Sequence, residues 1–121
     1  MLEIEIDIPN ALLKVRFRGR VTPEETARQI DDVREALSKL NAGFRILADL
    51  SRVESMDPRC AADIGKTMEL CDQRGVSKIV RIIPDPTKDI GLNILSLFHY
   101  HRRIPTVTCR NLAEALQALS E

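Results

Sequence analysis

The chain has 121 residues, in which 18 basic and 18 acidic side chains cancel to a formal net charge of zero, and only 3 % of residues are aromatic. That length fits one domain with a single core that needs no staples. Balanced charge provides no field toward nucleic acid or an anionic membrane, and one Tyr with three Phe and no Trp leaves little for a base-stacking platform.

The first elements are two alternating strands. Leu2, Ile4, Ile6 and Ile8 alternate with Glu3, Glu5 and Asp7; Leu13, Val15 and Phe17 alternate with Lys14, Arg16 and Arg18. A loop over Pro9 to Leu12 would pair Asp7 with Lys14, Glu5 with Arg16 and Glu3 with Arg18, and on the other face Ile8 with Leu13, Ile6 with Val15 and Ile4 with Phe17. Burial sets such a register, because a one-residue slip would turn every apolar side chain to water. The hairpin is expected to have one wet and one covered face.

A helix is expected next, with Thr22 as N-cap, Pro23 at the first helical position and Glu25 completing a capping box. Ala27, Ile30, Val33, Leu37 and Leu40 form its apolar stripe, and "NAG" (41–43) ends it. "FRILADL" (44–50) predicts a mostly buried strand. A second helix is expected from about Asp57 to Arg74, with stripe Ala61, Ile64, Met68 and Cys71 and a stop at Gly75. "SKIVRII" (77–83) is a further buried strand, and a third helix is expected over 89–101, carrying Ile90, Ile94, Leu97 and Phe98. "TVTC" (106–109) predicts a short strand, and "NLAEALQALS" (111–120) a last helix capped by Asn111 and Glu114. Strands alternating with crossover helices call for a parallel sheet. The fold class is therefore α/β: a mixed sheet of about five strands with an N-terminal hairpin and about four helices, mainly on one face.

Cys60, Cys71 and Cys109 are odd in number and widely spaced, matching neither a disulfide framework nor a CxxC motif; free buried thiols in a reducing cytosol explain them. "MLEIEIDI" is acidic and alternating, unlike a signal peptide, and "IGLNILSLF" (90–98) is about half the length of a membrane span. A cytoplasmic protein with no nucleic-acid or membrane partner is expected. His99 and His101 lie two apart, which on a helix points them about 200° away from each other, so they cannot share a metal there. No Ser or Cys sits in a recognisable nucleophile motif, and no cofactor, metal site or enzymatic activity is expected.

With this element order, "ILADLSRVESMD" (46–57) before a helix, "RGVSKIVRII" (74–83) and the closing "NLAEALQAL" (111–119), the whole chain resembles the STAS domain, the fold of anti-sigma-factor antagonists and of cytoplasmic tails of anion transporters. The most specific part is the run Asp49, Leu50, Ser51, Val53 and Asp57. The resemblance implies a single STAS-like domain acting as a protein-interaction module. In phosphorylatable members of the family the residue after that last Asp is a serine at a helix N-terminus, where phosphate gains from the helix dipole and switches off docking to a partner kinase. Here Pro58, Arg59 and Cys60 follow Asp57, so the hydroxyl is missing. Asp57 can cap the helix and Pro58 suits its first position, which is reason enough for both.

The resemblance points to docking of a protein partner, such as an anti-sigma-type kinase, another regulator or a second copy of the chain. The loop Ser51 to Met56, with Asp57, Pro58, Arg59 and the exposed face of the second helix, would form the docking surface. Ser55 is the alternative hydroxyl for phosphorylation. A second reading comes from geometry, since open parallel sheets bind ligands beyond the carboxyl ends of their strands. Strand ends at Leu50 and Ile83 would gather Ser51, Ser55, Asp57, Asp85, Thr87 and Lys88 on one rim able to hold a nucleotide, anion or lipid, although no glycine-rich phosphate loop or calcium-loop spacing is present.

Overall fold

The computed structural model describes residues 1–83 and 104–121. Alternation produces the expected hairpin: β1 (Leu2–Asp7) pairs antiparallel with β2 (Leu12–Val21). Its register differs by two residues from the expected one, with Glu3 opposite Arg16, Glu5 opposite Lys14 and Ile6 opposite Leu13. The turn occupies 8–11, closed by the Ala11 N–H on the Ile8 carbonyl at 3.0 Å and held by Asp7, whose carboxylate accepts from the Asn10 backbone and side-chain nitrogens. Leu12 is thereby released from the loop to be buried, and Ile8 is exposed. A shift of two leaves every side chain on its expected face. The charges meet both directly and diagonally, Arg16 reaching Glu3 opposite and Glu5 across the diagonal, and Arg18 reaching Glu3 diagonally.

Helix α1 (Pro23–Leu37) begins as its sequence requires, with Thr22 Oγ1 accepting from the Glu25 N–H. The capping box is half made, because the Glu25 carboxylate lies 3.2 Å from the Met1 amino group. Its buried stripe is Thr26, Gln29, Val33, Ala36 and Leu37; Ala27 is exposed and Ile30 half-buried, a rotation that brings two polar residues inside. Strand β3 (Arg45–Met56) runs parallel to β2, and α2 (Cys60–Gln73) returns the chain to β4 (Lys78–Ile82), parallel to β3. Within the expected α2 stripe Ile64 and Cys71 are buried and Met68 half-buried, whereas Ala61 is exposed and Cys60 takes its place inside. Strand β5 (Thr106–Cys109) adds parallel to β4, and α3 (Leu112–Ser120) closes the described chain. The result is a five-stranded mixed sheet in the order β1-β2-β3-β4-β5. Three helices are present among the described residues, and the helix expected over 89–101 lies outside them.

Strand periodicity divides the core in two. Leu13, Val15, Phe17, Ile46 and Ile79 face α1 and α2; Leu12, Leu47, Val80, Ile82 and Cys109 form a second cluster with Ala115, Ala118 and Leu119 of α3. Two of the three helices share one face, and α3 covers part of the other. The last carbonyls of α3 are met by cations from the strand starts below: Arg45 donates to Leu119 O and Lys78 to Ala118 O. All three cysteines are free and buried, and burial pushes the Cys71 thiol up to about 12.

The loops before β3 and β4 are laced together. Gly43 N–H donates to the Gly75 carbonyl at 2.8 Å, and Ser77 donates from its hydroxyl to Gly43 O at 2.7 Å. Gly75 has φ +93°, and a Cβ there would lie 2.8 Å from the Cβ of Ala42, so both conformation and space require glycine.

Candidate functional site

The segment expected to be a loop after Leu50 is strand. β3 continues to Met56 beside β2, although its pairing with β4 ends at Asp49 opposite Ile82. The last part of β2 and β3 is thus a two-stranded parallel ribbon projecting beyond the β4 edge. Two irregularities interrupt it, between Arg16 and Arg18 and between Gly19 and Arg20, each adding one residue on the β3 side. Gly19 accommodates the distortion at φ +61°. With these extra residues Leu50, Val53 and Met56, three apart, all pack on the core shared with α1 and α2, while Ser51, Arg52, Glu54 and Ser55 are exposed.

Each candidate residue has a definite place on this ribbon. Ser51 donates from both its N–H (2.9 Å) and its hydroxyl (2.6 Å) to Asp49 Oδ1. Ser55 is on the strand opposite Arg20, not in a loop. Arg52 stands opposite Arg18. At the ribbon's end Asp57 N–H donates to Val21 O at 3.1 Å, and the chain turns into α2 through hydrogen bonds from Cys60 N–H to Asp57 O and from Ala61 N–H to Pro58 O. Pro58 therefore occupies the strand-to-helix junction, in a short turn just before the first α2 residue. Its missing N–H leaves no unmade bond.

Asp57 and Pro58 were expected to cap and to begin the second helix, but α2 starts at Cys60 with Arg59 in the N-cap position and no side-chain cap bond, because the turn through Pro58 intervenes. Asp57 instead fastens that turn. Oδ1 accepts from the Arg59 backbone N–H at 2.9 Å, and the Arg59 guanidinium grips the same carboxylate, with Nη2 2.7 Å from Oδ2. This fork, then the backbone donor, holds the Asp57 carboxyl down at about 2. Sequence reasoning placed Arg59 in the candidate docking surface but did not pair it with Asp57. Arg18, which flanks the ribbon from β2 with Arg20, was read only as a hairpin charge and Arg20 was given no role; the Arg-Gly-Arg sequence after Phe17, where alternation should have carried β2 further, was the available signal. Behind the junction the Thr26 hydroxyl, fully buried in α1, donates to Asp63 Oδ2 in α2 at 2.9 Å and fixes the two helices against each other.

The rim at the strand ends is altered by this geometry. β3 does not end at Leu50, so Ser51, Ser55 and Asp57 are spread along the ribbon and do not converge beside Ile83. Asp85, Thr87 and Lys88, its other half, lie outside the described residues, as do His99 and His101. Among the described residues no group of three His, Cys, Asp or Glu side chains could hold a metal ion, and no helix is long and apolar enough to cross a membrane.

No protein-family model and no curated protein matches the chain. Solved structures do. The anti-sigma factor antagonist SpoIIAA in its unphosphorylated form is similar at 15 % identity and a TM-score of 0.65, covering 99 % of this chain and 98 % of its own. An uncharacterised protein from Shewanella loihica PV-4 with a SpoIIAA-like fold gives 16 % identity and a TM-score of 0.68 over 98 % of this chain and 92 % of that one. An anti-sigma factor antagonist from Mycobacterium paratuberculosis gives 16 % identity and a TM-score of 0.55 over 100 % and 94 %. With hairpin, mixed sheet and helix order matching along the whole described length, the chain has the STAS-like fold of SpoIIAA and other anti-sigma factor antagonists.

Proposed function

We propose that this protein is a non-catalytic, regulatory protein-interaction module of the cytoplasm. It docks a partner through the β2–β3 ribbon, the Asp57-Pro58-Arg59 junction and the exposed face of α2, and serine phosphorylation at the junction does not switch it. The observation that carries the reading is the junction itself: on a SpoIIAA-like fold, an imino acid with no hydroxyl stands between Asp57 and Arg59. On this surface Arg18 already reaches Glu3 and Arg59 is held by Asp57, which leaves Arg20 and Arg52, with Glu54 beside them, to favour a partner segment that presents carboxylates. The candidate partners are an anti-sigma-type kinase, another regulator or a second copy of the chain.

Affinity isolation from native cytosol with the wild type and with an Arg52→Glu/Arg59→Glu variant, followed by reconstitution of the complex from purified components, tests the reading. The expected result is a defined partner whose binding weakens at least roughly tenfold in the variant, as charge reversal within an interface does. Recovery of no partner under several conditions, or a reconstituted complex indifferent to both substitutions, would contradict it.

A further inference from the structure

Between the sheet and the α1–α2 layer lies a partly open cavity of about 80 Å³ that is not part of the ribbon surface. Its wall is mostly hydrocarbon, from Leu13, Val15, Ile46, Ile64 and Ile79. Three polar side chains line it as well: Gln29 of α1, 3 % exposed, Thr67 of α2, and Arg81 of β4, which is buried and engaged elsewhere. Gln29 Oε1 and Thr67 Oγ1 are both buried with no hydrogen-bond partner among the described residues.

That combination needs a cause. An orphaned buried polar group costs about 1–3 kcal/mol, and Leu or Val in these places would fill the same space at no such cost. A water on Gln29 and Thr67 would satisfy these two oxygens but leave the hydrocarbon part of the wall without a partner, and an apolar cavity surface stays dry. The volume is about half that of an apolar cavity of about 150 Å³ known to take benzene, and the opening lets part of a small ring or chain extend outward.

We propose that this cavity binds a small molecule with a compact apolar body and one O–H or N–H donor, of the size class of a phenol or a short alcohol. The apolar body packs on Leu13, Val15, Ile46 and Ile79, and the donor is accepted by Gln29 Oε1, Thr67 Oγ1 or both. Occupancy ties α1 to α2 and so reaches the layer that supports the candidate docking face, yet the site stands independently of any partner at the ribbon.

The test is titration of the full chain with phenol and, as its donor-free counterpart of the same shape, toluene, followed by methyl NMR. Phenol is expected to produce saturable shifts at Leu13, Val15, Ile46 and Ile79 and to bind roughly fivefold more tightly than toluene, the ratio that one net hydrogen bond provides. In a Gln29→Leu/Thr67→Val variant, which removes two orphaned groups and is expected to melt no lower than the wild type, toluene still binds and the preference for phenol disappears. Absence of saturable shifts with phenol, equal affinity of the wild type for both probes, or a preference that survives in the variant would overturn the proposal.

Discussion

Arg59 holds the carboxylate of Asp57 by both its backbone N–H, 2.9 Å from Oδ1, and its guanidinium, 2.7 Å from Oδ2. One side chain thus does two things at the end of β3. It accepts the Arg59 N–H in the turn before α2, and it neutralises the guanidinium of the same arginine. The pair lies on the surface, so its worth is positional: it fixes where the ribbon stops and α2 begins.

The pair has a pH signature. Asp57 titrates at about 2, below its ordinary 3.8. A depressed carboxylate contributes stability that is fully present above pH 3.8 and is lost as pH falls through about 2. Carboxyl-carbon NMR should place the Asp57 midpoint near the lower value in the wild type and move it up toward 3.8 in Arg59→Ala, the backbone donor retaining part of the shift. A midpoint unchanged by the substitution would show that the guanidinium is not the cause.

The α1–α2 clasp should be visible in stability. Thr26→Val keeps the buried shape and deletes the hydroxyl that Asp63 accepts from, and urea unfolding is expected to show a loss of about 1.5–3 kcal/mol, the range for a hydrogen bond to a charged group. Thr26→Ser, which keeps the donor, should lose clearly less. No loss in Thr26→Val would contradict the clasp, and equal losses would mean that the methyl group's packing is worth as much as the hydrogen bond.

Gly75 and Gly43 have almost the same backbone conformation, φ +93° and +96°, but only Gly75 has a neighbour where a Cβ would go. Gly43→Ala is expected to cost about 1 kcal/mol for the left-handed conformation, and Gly75→Ala about 3 kcal/mol because the clash with Ala42 is added. Thermal unfolding of both variants checks the difference, and equal costs would mean that the Ala42 side chain yields freely.

Much of this fold was legible in the sequence because alternation and capping are local. The hairpin faces, the cap at Thr22 and the strand at Thr106–Cys109 needed nothing from the rest of the chain. Register did not have that property. Moving the turn from Pro9–Leu12 to 8–11 shifts the pairing by two and changes no face, so period-two reasoning cannot distinguish the two hairpins; Asp7's hold on Asn10 and the burial of Leu12 against Leu47 and Val80 decide it. The ribbon was missed for a related reason. Leu50, Val53 and Met56 are spaced by three, which reads as a loop until two bulges supply the extra residues. Thr26 and Gln29, both polar, had no place in the apolar stripe expected for α1, but the Asp63 carboxylate brings the first inside, and nothing local to Gln29 announced that it lines a cavity.

The junction also makes a chemical prediction. Incubated with ATP and a kinase of the anti-sigma type, the protein should take up no phosphate between Asp49 and Cys60: Pro58 has no hydroxyl, and the Ser51 hydroxyl is bonded to Asp49. Peptide mass spectrometry finding phosphoserine at Ser51 or Ser55 would replace the unswitched surface with a switched one.

Hydrogen–deuterium exchange of the protein alone and with its purified partner tests the central claim most directly. Protection should rise along residues 51–59 and in the exposed turns of α2, leaving the β5 edge and α3 unchanged. Protection confined to β5 and α3, with residues 51–59 exchanging as in the free protein, would contradict the assignment of the ribbon and junction as the docking surface.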